Sequence, residues 1–453
     1  MKILNIKIKN LLPILLMRFS KIWVTFLVRR NNPKLLAKIF ALSLYEYSRA
    51  EKKTDKKIFN VIFLNKSIFY DDIKQGLVPQ NLFNLYYVER NFFKLIVNHF
   101  LPFTVVDNSY KSEKNEMKLA KKEISNFLKV FINYLGGYFK VDGVLTGNIV
   151  YWAEQELAEC LDKKNISFIA CLKESIQAPE LYKEIINARK KGSEPFRGTA
   201  VLTYNKKTAD QLIKGKMVEQ KKIHIVGMPR LDSYHRLRMN NNTKVRKKIL
   251  CLLISLVSQL PCLIYPFTDK RRWKRIADLT HKSLFEFADK NPNIELVIKY
   301  KPSDRWQVDI IYKKFKNYIP PNVKITMTES LLNLMKNSDV VVGHNSSALF
   351  EAIACGKKCI VPHYAEALRK EFKGRLIDFK NAVTRVSSPD ELKLILSKSL
   401  NEKPNNILSK SKLKLLEEWV GNTDGLSGKR MAENIYKIIN QKQLKLMNAK
   451  KLY

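Results

Sequence analysis

Short apolar runs rich in β-branched and aromatic residues alternate with stretches whose apolar positions recur every three or four residues. That is the pattern of strands threaded between amphipathic helices. The run FNVIFL at 59–64 predicts a first parallel strand, and FTVV at 103–106 a second. The aromatic stretch between them has no clear period, and residues 1–50 read as basic helix with aromatic interruptions. From Asp142 the alternation sharpens, with strands at 143–145, 167–172, 199–203 and 222–226 and helices at 151–162 and 207–214. A stretch rich in Asn, Arg and Lys at 236–248 reads as a linker. Beyond it the pattern restarts, with strands at 248–254, 294–299, 339–342 and 358–361 and helices at 272–290, 331–336, 348–354 and 389–400. Strands alternating with helices make βαβ units and parallel sheets. The expected fold is therefore α/β, two Rossmann-like doubly wound domains facing a cleft. The expected division is a basic amphipathic segment at 1–50, a first domain at 51–240, a second at 241–410 and terminal helices at 411–453.

The length of 453 residues favours two domains, and a hydrophobic content of 45% is enough to fill both cores. Charge changes the picture more. Lys and Arg number 82 against 42 Asp and Glu, a net charge of +40, which points to an acidic partner. The lysines are spread along the whole chain, and no zinc-finger, basic-zipper or RNP-type module occurs. Much of the excess thus reads as compositional drift, and no nucleic-acid partner is expected. Cys160, Cys171, Cys251, Cys262, Cys355 and Cys359 form no CxxC pair and mostly sit in apolar stretches. Free buried thiols in a reducing, cytoplasmic setting are expected. Residues 11–28 are apolar, but Arg18 and Lys21 interrupt them and Arg29 and Arg30 follow. The pattern is not that of a cleavable signal peptide, and a spanning helix wants about 20 nearly uncharged residues. Two readings fit equally: a basic amphipathic helix on the anionic inner face of the cytoplasmic membrane, and a helix packed on the first domain.

The strongest local signal is DVVVGHNSSALFE at 339–351. A buried strand ends at Gly343, a turn of small polar residues follows, and a helix begins near Ser347 with Glu351 in its first turns. Helix N-termini present unpaired N–H groups and a positive dipole end, and ligands of open α/β sheets sit at the carboxyl ends of strands. Ser346 and Ser347 would donate hydroxyls to a phosphate, Glu351 would accept from a ribose or sugar, and His344 stands close by. N-capping by Asn345 or Ser346 is the plainer account, but it leaves the rest of the Gly-His-Asn-Ser-Ser cluster unexplained.

Other motifs surround this one. In VGMPRLD at 226–232, Gly227 permits a tight turn and Pro229 fixes the loop. Arg230 either clamps a phosphate bidentately or pairs with Asp232 at a hinge. IKYKP at 298–302 offers Lys299 and Lys301 as cations. TGNIVYWAEQE at 146–156 opens a helix after a strand. There Glu154 and Glu156 are candidate bases for an acceptor hydroxyl, or members of a solvated helix face. Glu174, at the end of the next strand, is better placed. Asp71 and Asp72 read as a turn, and His224 as part of the core. No D-x-D occurs, so neither a metal nor any cofactor besides an activated donor is expected. Leaving-group charge would fall to Arg230, Lys299, Lys301 and the helix start at Ser346 and Ser347.

The segment VVVGHNSSALFEAIACGKKCIVPHY at 340–364 resembles the donor site of GT-B-fold transferases of bacterial surface and capsule polysaccharides. These are related to the CDP-glycerol glycerophosphotransferases. The shared design is a strand, an N/Y-S-S turn, a helix, then Gly-Lys-Pro and a strand; Gly356 keeps that turn, while Lys358 stands where Pro is usual. Residues 226–232 resemble the G-x-P-R-x-D element that closes the first domain, and 424–430 the terminal segment that crosses back onto it. Residues 298–302 resemble a strand ending in K-x-H-P, with Lys301 in place of His, which puts histidine acid–base chemistry there in doubt. The resemblance covers about 140 to 440. It implies a transferase that moves a sugar or polyol phosphate from a nucleotide-sugar or CDP-polyol donor to a surface polysaccharide or lipid-linked glycan. The donor would meet Gly227, Arg230, Lys299, Lys301, His344, Asn345, Ser346, Ser347 and Glu351, and the base would be Glu174 or Glu154. Two other readings use the same features. One is an enzyme like UDP-N-acetylglucosamine 2-epimerase, with the same two-domain fold and Ser-rich turn. The other is a non-catalytic protein that binds glycan or nucleic acid through its positive surface.

Overall fold

A computed structural model describes residues 11–51, 55–64, 67–102, 109–173, 175–190, 194–239, 247–255, 260, 272–301, 304–315, 319–402 and 407–451. The chain forms two compact units. The first gathers Met1–Ser175, Ile186–Arg230 and Leu426–Tyr453, and the second Ile176–Ile185 and Leu231–Gly425.

The first unit opens with helices α1 (Leu11–Arg18), α2 (Ser20–Arg29) and α3 (Pro33–Ser43) and strand β1 (Tyr45–Ser48). Strand β2 (Phe59–Leu64), helix α4 (Ser67–Gly76), strand β3 (Phe83–Val88) and helices α5 (Asn91–Phe100) and α6 (Asn115–Tyr138) follow. Then come β4 (Gly143–Thr146), α7 (Gln155–Lys163), β5 (Ser167–Cys171), α8 (Pro179–Lys190), β6 (Ala200–Thr203), α9 (Lys206–Lys214) and β7 (Ile223–Ile225). The sheet order is β1-β3-β2-β4-β5-β6-β7, parallel except where β1 pairs antiparallel with β3. Strands β4, β5 and β6 are buried at every position, which is why they read as unbroken apolar runs. β3 lies in the aromatic stretch that showed no period, because its tyrosines are only half-buried beside the antiparallel edge. The strand expected at 103–106 falls outside the described residues.

The second unit contains α10 (Asp232–Met239), β8 (Lys247–Leu252), α11 (Lys274–Asp289), β9 (Ile294–Lys299), α12 (Arg305–Phe315), β10 (Val323–Thr326) and α13 (Leu331–Asn337). It continues with β11 (Val340–Val342), α14 (Ala348–Ala354), β12 (Lys358–Pro362), β13 (Thr384–Val386), α15 (Pro389–Asn401) and α16 (Lys410–Val420). Its sheet is wholly parallel in the order β10-β9-β8-β11-β12-β13. The strand order reverses between β8 and β11, the crevice position where doubly wound sheets bind ligands. The half-exposed edge strands β10 and β13 carry Lys324, Thr384 and Arg385, so no apolar run announced them. Residues 236–239, expected in a linker, instead end α10, because Tyr234 and His235 are buried in the second unit.

The last helix, α17 (Ser427–Lys451), belongs to the first unit. Its Met431, Ala432, Ile435 and Ile439 pack with Phe59, Leu145 and Ile169. Cys160, Cys171, Cys251, Cys355 and Cys359 are free and buried, and burial pushes Cys251 up to about 12. Cys262 lies outside the described residues.

Candidate functional site

In the second unit, all three residues of β11 are buried, and the strand ends at the carboxyl edge beside β8. Gly343 closes it, its N–H donating to the Ile360 carbonyl at 3.2 Å. His344 is buried, with Nδ1 at 3.1 Å from the Pro362 carbonyl. A carbonyl only accepts, so Nδ1 carries the proton and Nε2 is left with a lone pair. Nε2 has no hydrogen-bond partner among the described residues. The imidazole stands edge-on to Trp273, ring centroids 5.4 Å apart, and burial pushes it down to about 4, so it is neutral at pH 7.

Asn345 takes the left-handed conformation, φ 47°, and its Oδ1 accepts from the Ile377 N–H at 2.9 Å. It anchors the turn. Ser346 serves the helix start, its Oγ accepting from the Ala348 N–H at 3.3 Å. Ser347 occupies the N-cap position without a side-chain cap and is exposed. The Leu349 and Phe350 amides close on the Ser346 and Ser347 carbonyls at 3.2 and 3.0 Å. Two adjacent hydroxyls, one of them open to solvent, are thus presented at the switch point. Glu351 is half-buried in the first turn of α14.

The start of α11, another helix N-terminus of this unit, is filled from within. Buried Glu366 accepts from the Arg275 and Ile276 amides, both at 2.8 Å. A carboxylate there satisfies the orphan donors that would otherwise attract an anion. Lys299 ends β9, opposite Leu252 at the end of β8. Its ammonium donates to the carbonyls of Tyr300, at 3.3 Å, and Met327. Burial lowers its pKa. Lys299 is tied toward the β10 side of the sheet, away from the Gly343–Ser347 turn, whereas Lys301 is exposed. Pro302 lies outside the described residues.

In the first unit, Gly227 has φ 83°, and its N–H donates to the Tyr204 carbonyl at 3.1 Å. Gly227→Ala is expected to cost about 1–2 kcal/mol, the penalty of a Cβ in this region, read as a lowered urea midpoint. Arg230 follows. Its Nη1 donates to the Tyr204 hydroxyl at 2.8 Å and lies 3.4 Å from Asp72 Oδ2, while its backbone N–H reaches Asp72 Oδ1 at 3.1 Å. The Tyr204 hydroxyl also donates to Asp72. Asp71 and Asp72, expected in a turn, lie within α4, where Asp72 shares the inward face with Phe69 and Ile73. The bonds of Asp72 to Tyr204 and Arg230, more than a hundred positions away, left no local signal.

Glu154 and Glu156 are both buried rather than on a solvated face. Glu154 accepts from Thr146 Oγ1 at 2.7 Å and pairs with Arg90 Nε at 2.9 Å, and that guanidinium lies over the Tyr151 ring. Glu156 pairs with Arg197 at 3.1 Å and accepts from the Tyr110 hydroxyl, and burial pushes it up to about 7. Glu174 lies outside the described residues. His224, expected in the core, is half-buried on edge strand β7 beside Asn434. Sequence reasoning missed Asp72, Tyr204, Trp273 and Glu366 because each owes its place to distant neighbours.

Two Rossmann-like parallel-sheet domains, with the terminal helix returned to the first, make a GT-B-like fold. No family model and no curated protein matches the chain. Solved structures do. The Methanocaldococcus jannaschii UDP-GlcNAc 2-epimerase in complex with UDP-GlcNAc and UDP is 16% identical over 83% of this chain and 99% of its own, TM-score 0.44. The glycotransferase of kitacinnamycin is 11% identical over 85% and 100%, TM-score 0.44. The wall teichoic acid polymerase TagF, soaked with CDPG, is 11% identical over 97% and 99%, TM-score 0.49.

Proposed function

We propose that the chain is a transferase that moves a sugar or a polyol phosphate from a nucleotide-activated donor to a surface polysaccharide or lipid-linked glycan on the cytoplasmic side of the membrane. One observation carries the reading. At the β8/β11 switch point the turn presents the Ser346 and Ser347 hydroxyls, while the start of α11 is already filled by Glu366. The donor phosphates would meet those hydroxyls. Neutral His344 would accept a hydrogen bond at Nε2, Asn345 would hold the turn, Glu351 would accept from a sugar or ribose hydroxyl, and Lys301 would offset leaving-group charge. Lys299 would hold the loops at that edge, while Gly227 shapes and Arg230 stiffens the loop after β7 in the first unit.

In the reaction the bond from the transferred group to the leaving nucleotide oxygen breaks, a bond to the acceptor oxygen forms, and the acceptor proton passes to a carboxylate. Glu174 is the first choice for that base, because Glu154 is already held by Arg90 and Thr146. Without a D-x-D, the leaving charge is assigned to protein cations and hydroxyls, and the reading requires no metal.

Thermal melting against CMP-, CDP-, UDP- and GDP-activated sugars and polyols tests this. One nucleotide should stabilise the protein by about 2.7 kcal/mol at a hundredfold excess over Kd, since it binds only the folded state. Ser346→Ala with Ser347→Ala should abolish that shift. If no nucleotide stabilises the chain, the reading fails. A shift that survives the double substitution moves the site elsewhere. Hydrolysis of UDP-N-acetylglucosamine by water to free UDP and the free sugar inverted at C2, with no acceptor present, would replace the transferase by an epimerase.

A further inference from the structure

Between Met1 and Glu46, its first acidic residue, the chain carries only cations. Arg18, Lys21, Arg29, Arg30, Lys34 and Lys38 are all exposed. On α1 and α2 a second set of side chains also faces solvent. Leu11, Leu12, Ile14 and Leu15 on α1, Phe19 between the helices, and Ile22 and Phe26 on α2 are exposed, Ile22 by 70%. The opposite face is committed to the protein. Val24, Leu27 and Val28 are buried with Phe40 and Phe92 in the core of the first unit. The Trp23 indole donates to the Leu16 carbonyl at 2.7 Å and ties the two helices together across Phe19.

Exposed apolar side chains gathered on two consecutive helices mark an interaction site, and their neighbours say with what. We propose that the α1–α2 face docks on an anionic lipid surface, its Leu, Ile and Phe side chains entering the acyl boundary and its cations meeting the phosphate headgroups. No single described helix is long and apolar enough to cross a membrane, and α1 and α2 meet that length and composition only as a pair bent by 65°. A helix with one face held in a protein core lies on a bilayer rather than through it. A second copy of the chain is a poorer occupant, because a symmetric contact would set these cations against themselves. A nucleic acid would satisfy the cations and leave the aliphatic face in water.

The experiment is flotation of the full chain with vesicles of phosphatidylcholine alone and of phosphatidylcholine mixed with phosphatidylglycerol. The anionic vesicles should bind at least ~10-fold tighter, and high salt should weaken them. Ile22→Asp with Phe26→Asp should cut that binding at least ~10-fold, since it removes both large side chains from the acyl boundary. Arg29→Glu with Arg30→Glu should erase the preference for anionic lipid, and unchanged circular dichroism checks folding in each case. Equal binding to both vesicles, binding to neither, or apolar variants that bind like wild type would overturn the proposal. So would a dimer in place of lipid binding that the apolar substitutions dissolve. No nucleotide is involved, so failure here leaves the proposed activity standing, and the reverse.

Discussion

Arg230→Ala should cost the first unit about 3–5 kcal/mol, the usual loss when a buried charge loses its partner. Asp72 is 1% exposed. It is met by the Arg230 guanidinium, the Arg230 backbone N–H and the Tyr204 hydroxyl. Burial raises its pKa, and the charge of Arg230 holds it back down. Removing the guanidinium leaves a desolvated carboxylate with a phenol and one amide. Asp72→Asn should cost less, because it removes the buried charge and leaves Arg230 a route to water. The double variant should be less destabilised than the two losses added together. The deficit of Arg230→Ala should also shrink as the pH is lowered, since protonation of Asp72 removes the uncompensated charge. Thermal and urea unfolding of the three variants measure all of this. A loss under about 1 kcal/mol for Arg230→Ala, the scale of an exposed pair, would mean that the guanidinium does not hold Asp72.

Acid should unfold the second unit before the first. His235, His281 and His344 all belong to the second unit and are buried, and burial pushes each down to about 4. Arg238 and Arg236 also lower His235 while Asp424 raises it, Lys314 lowers His281 while Asp278 raises it, and His363 lowers His344. The unfolded chain takes up these protons near pH 6.5 and the folded chain only near pH 4, so stability contributed above pH 6.5 is lost between those values. A displacement of that size is worth on the order of 3 kcal/mol for each histidine. In the first unit burial also lowers His99 and His224, but it raises Glu156 to about 7 and raises Asp72 as well. For those acids the folded state binds protons first, so acidification through the same window strengthens rather than weakens the fold. Calorimetry from pH 7 to pH 4.5 should therefore resolve a second-unit transition that falls steeply while the first-unit transition moves less. His281→Leu should flatten the fall, because neither ring nitrogen of His281 has a partner among the described residues and both are removed. A second-unit transition that stays level across this range would contradict the account.

Within the described residues, every inner strand except β3 was legible in the sequence, and so were helices α7, α9, α11, α13, α14 and α15. FNVIFL and IELVIK occupy the positions read from them because both strands lie inside sheets, where an unbroken apolar run is the physical requirement. The Gly343–Ser347 turn was legible for a similar reason. A strand must end and a helix must begin there, and small polar residues are what such a junction uses. The half-exposed β3, β10 and β13 were not legible, because a partly wet strand needs no apolar run.

What the sequence determined by itself was the alternation of strand and helix, and with it the fold class, the tight turn at Gly227 and the switch-point loop of the second unit. Tertiary structure alone decided which charges meet. Asp72 was one residue of an acidic pair until α4 turned it inward onto Tyr204 and Arg230. Glu154 is met by Arg90 and Thr146. The Lys299 ammonium is tied to the carbonyls of Tyr300 and Met327. Local pattern reports burial and backbone conformation, which neighbours in sequence impose. The partner of a buried charge comes from a distant segment, and no periodicity encodes it.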